Sequence, residues 1–192
     1  MILNYNLVSN AIQISGVDLQ GVDFPALANG VALGVCNWVV VPSNFALTGV
    51  CTGTAGAGTT IGRYIVTPNI GLVLSGLQGA GLSGVQVNPI ARAIAVGVAT
   101  AFTASATYQG VATGVGTGVD NAWVSLSNPT TLGASIQAAL NGMGYNGINI
   151  SPLSFGLGVG LASMLQTGTG TGTVTGASGP TPATGTSISR IV

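Results

Sequence analysis

Three stretches of the chain carry an apolar residue at every fourth position: Leu27, Val31 and Val35; Ile90, Ile94 and Val98; Leu153, Leu157 and Leu161. That spacing keeps side chains on one face of an α-helix, so each stretch predicts a helix with one buried stripe. Beside each stripe runs a line of small residues, Gly30 and Gly34, Ala93 and Gly97, Gly156 and Gly160. A small residue every fourth place lets helix backbones approach closely. Glycine inside a helix costs about 1 kcal/mol relative to alanine, so these positions imply a surface packed against them. The three stripe helices are therefore expected to pack on one another or on neighbouring subunits, with leucine at Gly34, Gly97 or Gly160 equally disruptive.

The stripes share a register. Gly16, Gly79 and Gly142 recur at a constant interval of 63, as do Gly21, Gly84 and Gly147, and Gly34, Gly97 and Gly160. Aligned without gaps, the windows 16–38, 79–101 and 142–164 share 8 identities between the first and second and 7 between the second and third. Composition inflates such counts, but apolar positions also stay apolar, as at Val22, Val85 and Ile148 or Leu27, Ile90 and Leu153. A triplicated unit follows: short helix, glycine-bounded turn, second helix, Gly/Thr connector. The first helices are expected at about residues 4–15, 70–78 and 132–141, each stopped by Gly16, Gly79 or Gly142 as a left-handed cap. Two second helices open with Asn88-Pro89 and Ser151-Pro152, a capping side chain followed by proline at the first helical position, while the first has Phe24-Pro25. The expected fold is mainly α: three tandem helical-hairpin repeats in a pseudo-threefold arrangement, joined by extended Gly/Thr-rich segments. Its divisions are residues 1–65, 66–128 and 129–176 as repeats and 177–192 as an extended C-terminal tail.

The connectors, residues 48–59, 110–118 and 167–176, alternate Thr and Gly without charge. This suits extended segments that pair at a sheet edge or lie against a partner, or else flexible linkers. The terminal Ile188-Ser189-Arg190-Ile191-Val192 would anchor the tail on a neighbour.

Charge changes the picture most. In 192 residues the ionic complement is Arg63, Arg92 and Arg190 against Asp18, Asp23 and Asp120, with no Lys, Glu or His. A His-based catalytic triad and a carboxylate–histidine metal site cannot be built, and a P-loop lysine is missing. Three scattered arginines supply no basic groove for nucleic acid. The expectation is a non-enzyme without cofactor, metal or nucleic-acid partner. With 47% hydrophobic residues and a mean hydropathy of +0.65 the chain has the apolar surface to fold. Soluble domains carry roughly a quarter charged residues, mostly at the surface. At 3% charged, this surface is one that partners cover or that meets a membrane.

Blander readings prevail for the candidate chemistry. Gly53, Gly56 and Gly58 lack the lysine and spacing of a phosphate loop. Asp18 and Asp23 align with Gly81 and Gln86 and with Gly144 and Asn149, so turn capping suits them better than a calcium site. Arg92 and Asp120 read as ion-pair partners within or between subunits. Cys36 and Cys51 read as buried small side chains rather than a bridge or a reactive thiol. The scattered Trp38, Trp123, Tyr5, Tyr64, Tyr108 and Tyr145 suit core or interface anchors better than a base-stacking surface.

Residues 93–119 and 121–189 hold no charge, yet their apolar runs are short and broken by Gly, Thr, Ser, Asn and Pro, which disfavours membrane spans. The amino-terminal residues have neither a basic region nor a long apolar run and do not read as a secretory signal. In Gly/Ala/Thr/Val composition and near-absence of charge, across its whole length, the chain resembles structural proteins of tailed-bacteriophage virions. No specific motif carries the likeness. It implies a non-enzymatic assembly protein of the tail, baseplate, neck or head decoration, assembled in the host cytoplasm, whose partners are copies of itself and other structural proteins. A membrane-active, holin-like or pore-forming protein is the rival. A secreted protein whose threonines bind ice or carbohydrate is a third reading.

Overall fold

The computed structural model describes residues 5–15, 24–41, 45–54, 57–105, 107–113, 117–125, 128–167, 170–176 and 183–191. The molecule is mainly helical. Its helices are α1 (Tyr5–Ser15), α2 (Phe24–Val39), α3 (Ile70–Gly79), α4 (Val87–Ser105), α5 (Pro129–Gly142) and α6 (Ile150–Thr167). Between them lie strands β1 (Phe45–Thr54), β2 (Ala57–Val66), β3 (Thr107–Thr113), β4 (Thr117–Ser125), β5 (Gly170–Gly176) and β6 (Ala183–Ile191). Helix, helix, strand, strand is thus traversed three times.

Local chemistry accounts for the helix starts at α3 and α5. The Asn69 side chain accepts from the Leu72 amide at 3.0 Å, and Asn128 accepts from the Thr130 and Thr131 amides at 2.9 and 3.3 Å. Each satisfies amides that the first turn of a helix leaves without an intrahelical partner. Asn88 and Ser151, expected as caps, instead lie inside α4 and α6. The first intrahelical bonds run from Ile90 to the Gln86 carbonyl and from Leu153 to the Asn149 carbonyl. Pro89 and Pro152 therefore sit at the third helical position and Pro25 at the second. Proline is tolerated there because amides of the first turn have no partner to lose.

The helices form a closed ring in which each packs on its neighbours in chain order and α6 returns to α1. The small-residue lines do not join the three stripe helices to one another. Gly30 and Gly34 of α2 lie against α3, Gly97 of α4 against α5, and Gly156 and Gly160 of α6 against α1. The apolar stripes point elsewhere, inward, where Leu27, Ile90, Ile94 and Leu153 line a common cavity. Along the stripes Leu27 and Ile90 are half-buried and Leu153 is buried, while Val31, Ile94 and Leu157, and next Val35, Val98 and Leu161, are fully buried. Trp38, Ala101 and Met164 continue the buried core toward the strands.

The Gly/Thr-rich segments are neither linkers nor arms reaching to neighbours. All six strands pair antiparallel, in chain order, in one closed barrel, with β6 returning to β1. The stretch expected as a tail contributes β6, paired on one side with β5 and on the other with β1. Closure is the physical reason: an open sheet would leave a row of unpaired amides and carbonyls at each edge, and a barrel leaves none. Laterally paired positions carry small residues, such as Gly49 between Gly62 and Ser187, and Gly53 between Gly58 and Ala183. Eight strands give a barrel just wide enough to be filled by side chains, so six strands suit this small-residue composition. Ala122 is an extra residue where the β3–β4 register shifts.

Ring and barrel are joined through large side chains. Tyr64 of β2 and Phe102 of α4 meet edge to face with ring centroids 5.5 Å apart, and both are buried. The Trp38 indole N–H donates to the Thr67 carbonyl at 3.0 Å, tying the end of α2 to the β2–α3 connection.

Candidate functional site

The hairpin turns make one end of the ring. In the α3–α4 turn the Gly81 amide donates to the Gln78 carbonyl at 2.9 Å and the Leu82 amide to the Leu77 carbonyl at 3.1 Å. In the α5–α6 turn Gly144 donates to Asn141 at 2.9 Å and Tyr145 to Leu140 at 3.0 Å. Both are Schellman closures, in which a left-handed glycine turns the chain and the next residue packs back on the helix. Gly81 and Gly144 carry φ of +90° and +89°, where an L side chain is strained.

Gly79 and Gly142 are therefore not the left-handed caps that their alignment suggests. They are the last residues of α3 and α5, and neither has a positive φ. The left-handed role lies two residues on, because only there does an apolar residue, Leu82 or Tyr145, follow to cover the helix end. Gly84 has φ +113°, whereas its counterpart Gly147 has no such requirement. A Cβ at Gly79, Gly84, Gly142 or Gly147 would meet nothing within 4 Å, so these four are turn glycines and not packing glycines. Gly16 and Gly21, with Asp18 and Asp23, lie outside the described residues.

The tips beyond the closures expose apolar residues. Val85 and Ile148, equivalent in the repeat register, are both 89% exposed. Among the cavities at this end, one of about 350 Å³ is lined by Leu74, Gln78, Leu82, Ser83, Val87 and Asn88 of the α3–α4 hairpin, and two more are related to each other. One, of about 340 Å³, is lined by Phe24, Leu27, Leu77, Leu82, Val87 and Ile90, with Ser83 and Gln86 at its exposed edge. The other, of about 150 Å³, is lined by aliphatic residues of all three stripe helices together with Phe24, Leu140, Tyr145 and Asn149. Their linings correspond in the same register: Leu77 with Leu140, Leu82 with Tyr145, Gln86 with Asn149, Val87 with Ile150, and Ile90 with Leu153. The larger side chain of Tyr145 stands in the smaller cavity. Among the described residues, no charged side chain lines either cavity.

The seams between hairpins differ in closeness. A methyl on Gly34 would lie 2.7 Å from Val73 Cα, and one on Gly160 would lie 2.6 Å from Val8 Cα, both backbone atoms. A methyl on Gly97 would meet Ala139 Cβ at 3.4 Å and Ile136 Cγ2 at 3.5 Å, ordinary contact distances. The three glycines therefore differ in the room they leave for a methyl. At the α1–α2 contact, buried Ser9 donates to the Asn29 Oδ1 at 2.5 Å and accepts from Gln13 at 3.0 Å.

Among the described residues no three His, Cys, Asp or Glu side chains gather where a metal could be held. Cys36 is a free, buried thiol that donates to the Met164 sulfur at 3.3 Å. Burial pushes its pKa up to about 12, so it stays protonated and unreactive as a nucleophile near neutral pH. The Cys51, Asp120 and Arg190 side chains lie outside the described residues, while Arg63 and Arg92 are exposed. Register pointed to the hairpin end, but not to its cavities, which depend on how neighbouring hairpins meet.

Comparison finds no relative. No protein-family model, no curated protein and no solved structure matches the chain.

Proposed function

We propose that the chain is a non-enzymatic assembly protein, a component of a large symmetric particle, and specifically of a tailed-phage virion at the tail, baseplate, neck or head. In this reading it is three tandem helical-hairpin units, recurring at an interval of 63 around a pseudo-threefold axis, whose turn end meets a partner. The observation that carries it is the exposure of Val85 and Ile148 at corresponding tips, on a chain with only six charged side chains. Apolar residues repeated at equivalent, exposed places favour coverage by another surface. The recurring seam cavity, the paired Schellman closures and the helix–helix–strand–strand order support the triplication. The Gly/Thr strands play no part in reaching neighbours in this version, because the barrel uses their pairing edges within one chain.

One feature favours the membrane-active alternative. Residues Val87–Ala104 of α4 are long and apolar enough to cross a bilayer. Half of that window is buried inside the fold, and Arg92 lies exposed within it, which suits a core helix better. Fractionating a lysate of the source culture with an antibody to the chain separates the two. Recovery with sedimenting, lipid-free particles is expected. Recovery in a membrane pellet that only detergent releases would overturn the assembly reading.

A further inference from the structure

We propose that the cavity between the start of α2 and the α3–α4 hairpin is a binding site for one small, uncharged, apolar molecule, such as a straight-chain alcohol, and that Leu82 forms part of its wall. The cavity measures about 340 Å³, within the roughly 300–1,000 Å³ range of ligand pockets. Its walls are Phe24, Leu27, Leu77, Leu82, Val87 and Ile90, whose side chains offer water no hydrogen-bond partners while accepting an apolar guest. Ser83 and Gln86, both exposed, put hydroxyl and amide groups at the edge, where the polar end of a neutral amphiphile would rest. Among the described residues no arginine or aspartate lines the cavity, so a carboxylate head would lose hydration without gaining a counter-charge.

At the α5–α6 hairpin Tyr145, 63 positions on from Leu82, lines the smaller cavity of about 150 Å³, which shares Phe24, Leu27 and Ile90 with the larger one. The same backbone closure precedes both residues, with the Leu82 amide on Leu77 and the Tyr145 amide on Leu140. Tyrosine is thus compatible with the turn, and Leu82→Tyr takes up roughly the space of one methylene in the cavity wall without altering the closure.

Titrating methyl-labelled protein with hexanol, octanol and decanol, followed by methyl NMR, tests the site. One saturable equivalent is expected, with shifts centred on Leu77, Leu82 and Ile90 and affinity rising about fourfold per methylene until the cavity is full. Octanoate should bind at least about tenfold more weakly than octanol, since an unpaired carboxylate is costly to desolvate. Leu82→Tyr, verified as folded by circular dichroism, should weaken octanol about fourfold, the scale of losing one buried methylene. Non-saturable shifts spread over the molecule, or an unchanged affinity in folded Leu82→Tyr, would overturn the proposal.

Discussion

The α2–α3 and α4–α5 seams are built from the same sequence pattern and packed differently. In the first, glycine meets glycine: a Cβ on Gly76 of α3 would fall 2.5 Å from the Gly34 nitrogen, and a Cβ on Gly30 would fall 2.8 Å from Leu77 Cα. In the second, the equivalents of Gly30 and Gly76 in the repeat register are Ala93 and Ala139. Alanine stands there where the first seam has glycine, and Gly97 is left with ordinary contacts to Ala139 and Ile136. Register therefore identifies which residues face a seam, while the residue opposite decides whether a glycine there is required.

The largest consequence is at the close seams. Gly34→Ala and Gly160→Ala each drive a methyl into backbone that cannot rotate away, and overpacking of this kind costs about 3 kcal/mol at its upper range. Urea unfolding should show that loss as a lower midpoint at unchanged slope. A loss under about 1 kcal/mol at both sites, well below the usual cost of overpacking, would mean that the helices separate freely and that seam closeness is not a constraint.

The second helices also differ near their barrel ends, where α2 has Cys36 and the equivalent positions of α4 and α6 are Ala99 and Ala162. Burial raises the Cys36 pKa from 9.0 to about 12, so the folded state holds a proton that the unfolded state gives up first. Below pH 8 both states are protonated and the thiol adds no pH dependence. Above pH 9 stability falls with rising pH, by up to about 1.4 kcal/mol per unit, until the folded thiol also ionises. Cys36→Ala, which copies the residue of the other two helices, should remove that part of the slope between pH 9 and 11. An identical slope in the variant would place the titration elsewhere.

How much of this was legible follows from where the signal is local. The stripes, the small-residue lines and the register of the turns are written within single helices, where a spacing of four has one geometric meaning. The left-handed glycine was misplaced by two positions because each closure holds two glycines, Gly79 and Gly81 or Gly142 and Gly144. The deciding feature is the apolar residue after the second one. That the Gly/Thr-rich segments are extended was legible, but the closed barrel was not. Its strands, from FALTGVCTGT in β1 to GTGTVTG in β5, lack a sustained apolar–polar alternation, so no buried face is marked, and closure pairs Ala46 with Arg190 across most of the chain. Nor did register show that a stripe helix seats its small residues on the following hairpin, because that depends on the direction in which the ring closes.

The open seam gives the opposite sign from the close ones. Gly97→Ala adds a methyl at ordinary contact distance and removes a glycine from the interior of α4, so a gain of up to about 1 kcal/mol is expected. The same substitution sharpens the account of why the seam is open. In an Ala93→Gly, Ala139→Gly background the helices can close, and Gly97→Ala should then lose its benefit. If the gain persists unchanged, the two alanines are not what holds α4 and α5 apart.

The smallest effect comes from Ser154, which occupies on α6 the place that Ala28 has on α2 and Ala91 on α4, all three fully buried. Its hydroxyl has no hydrogen-bond partner, whereas the two alanines bury only a methyl. An unsatisfied buried hydroxyl carries a desolvation cost, and alanine is also the better helix former, so Ser154→Ala should stabilise by at least about 0.5 kcal/mol. The measurement is again the urea midpoint. The sign matters more than the size: stabilisation means that the third hairpin tolerates the residue of the other two in its core. Destabilisation would mean that the surroundings of α6 use the hydroxyl.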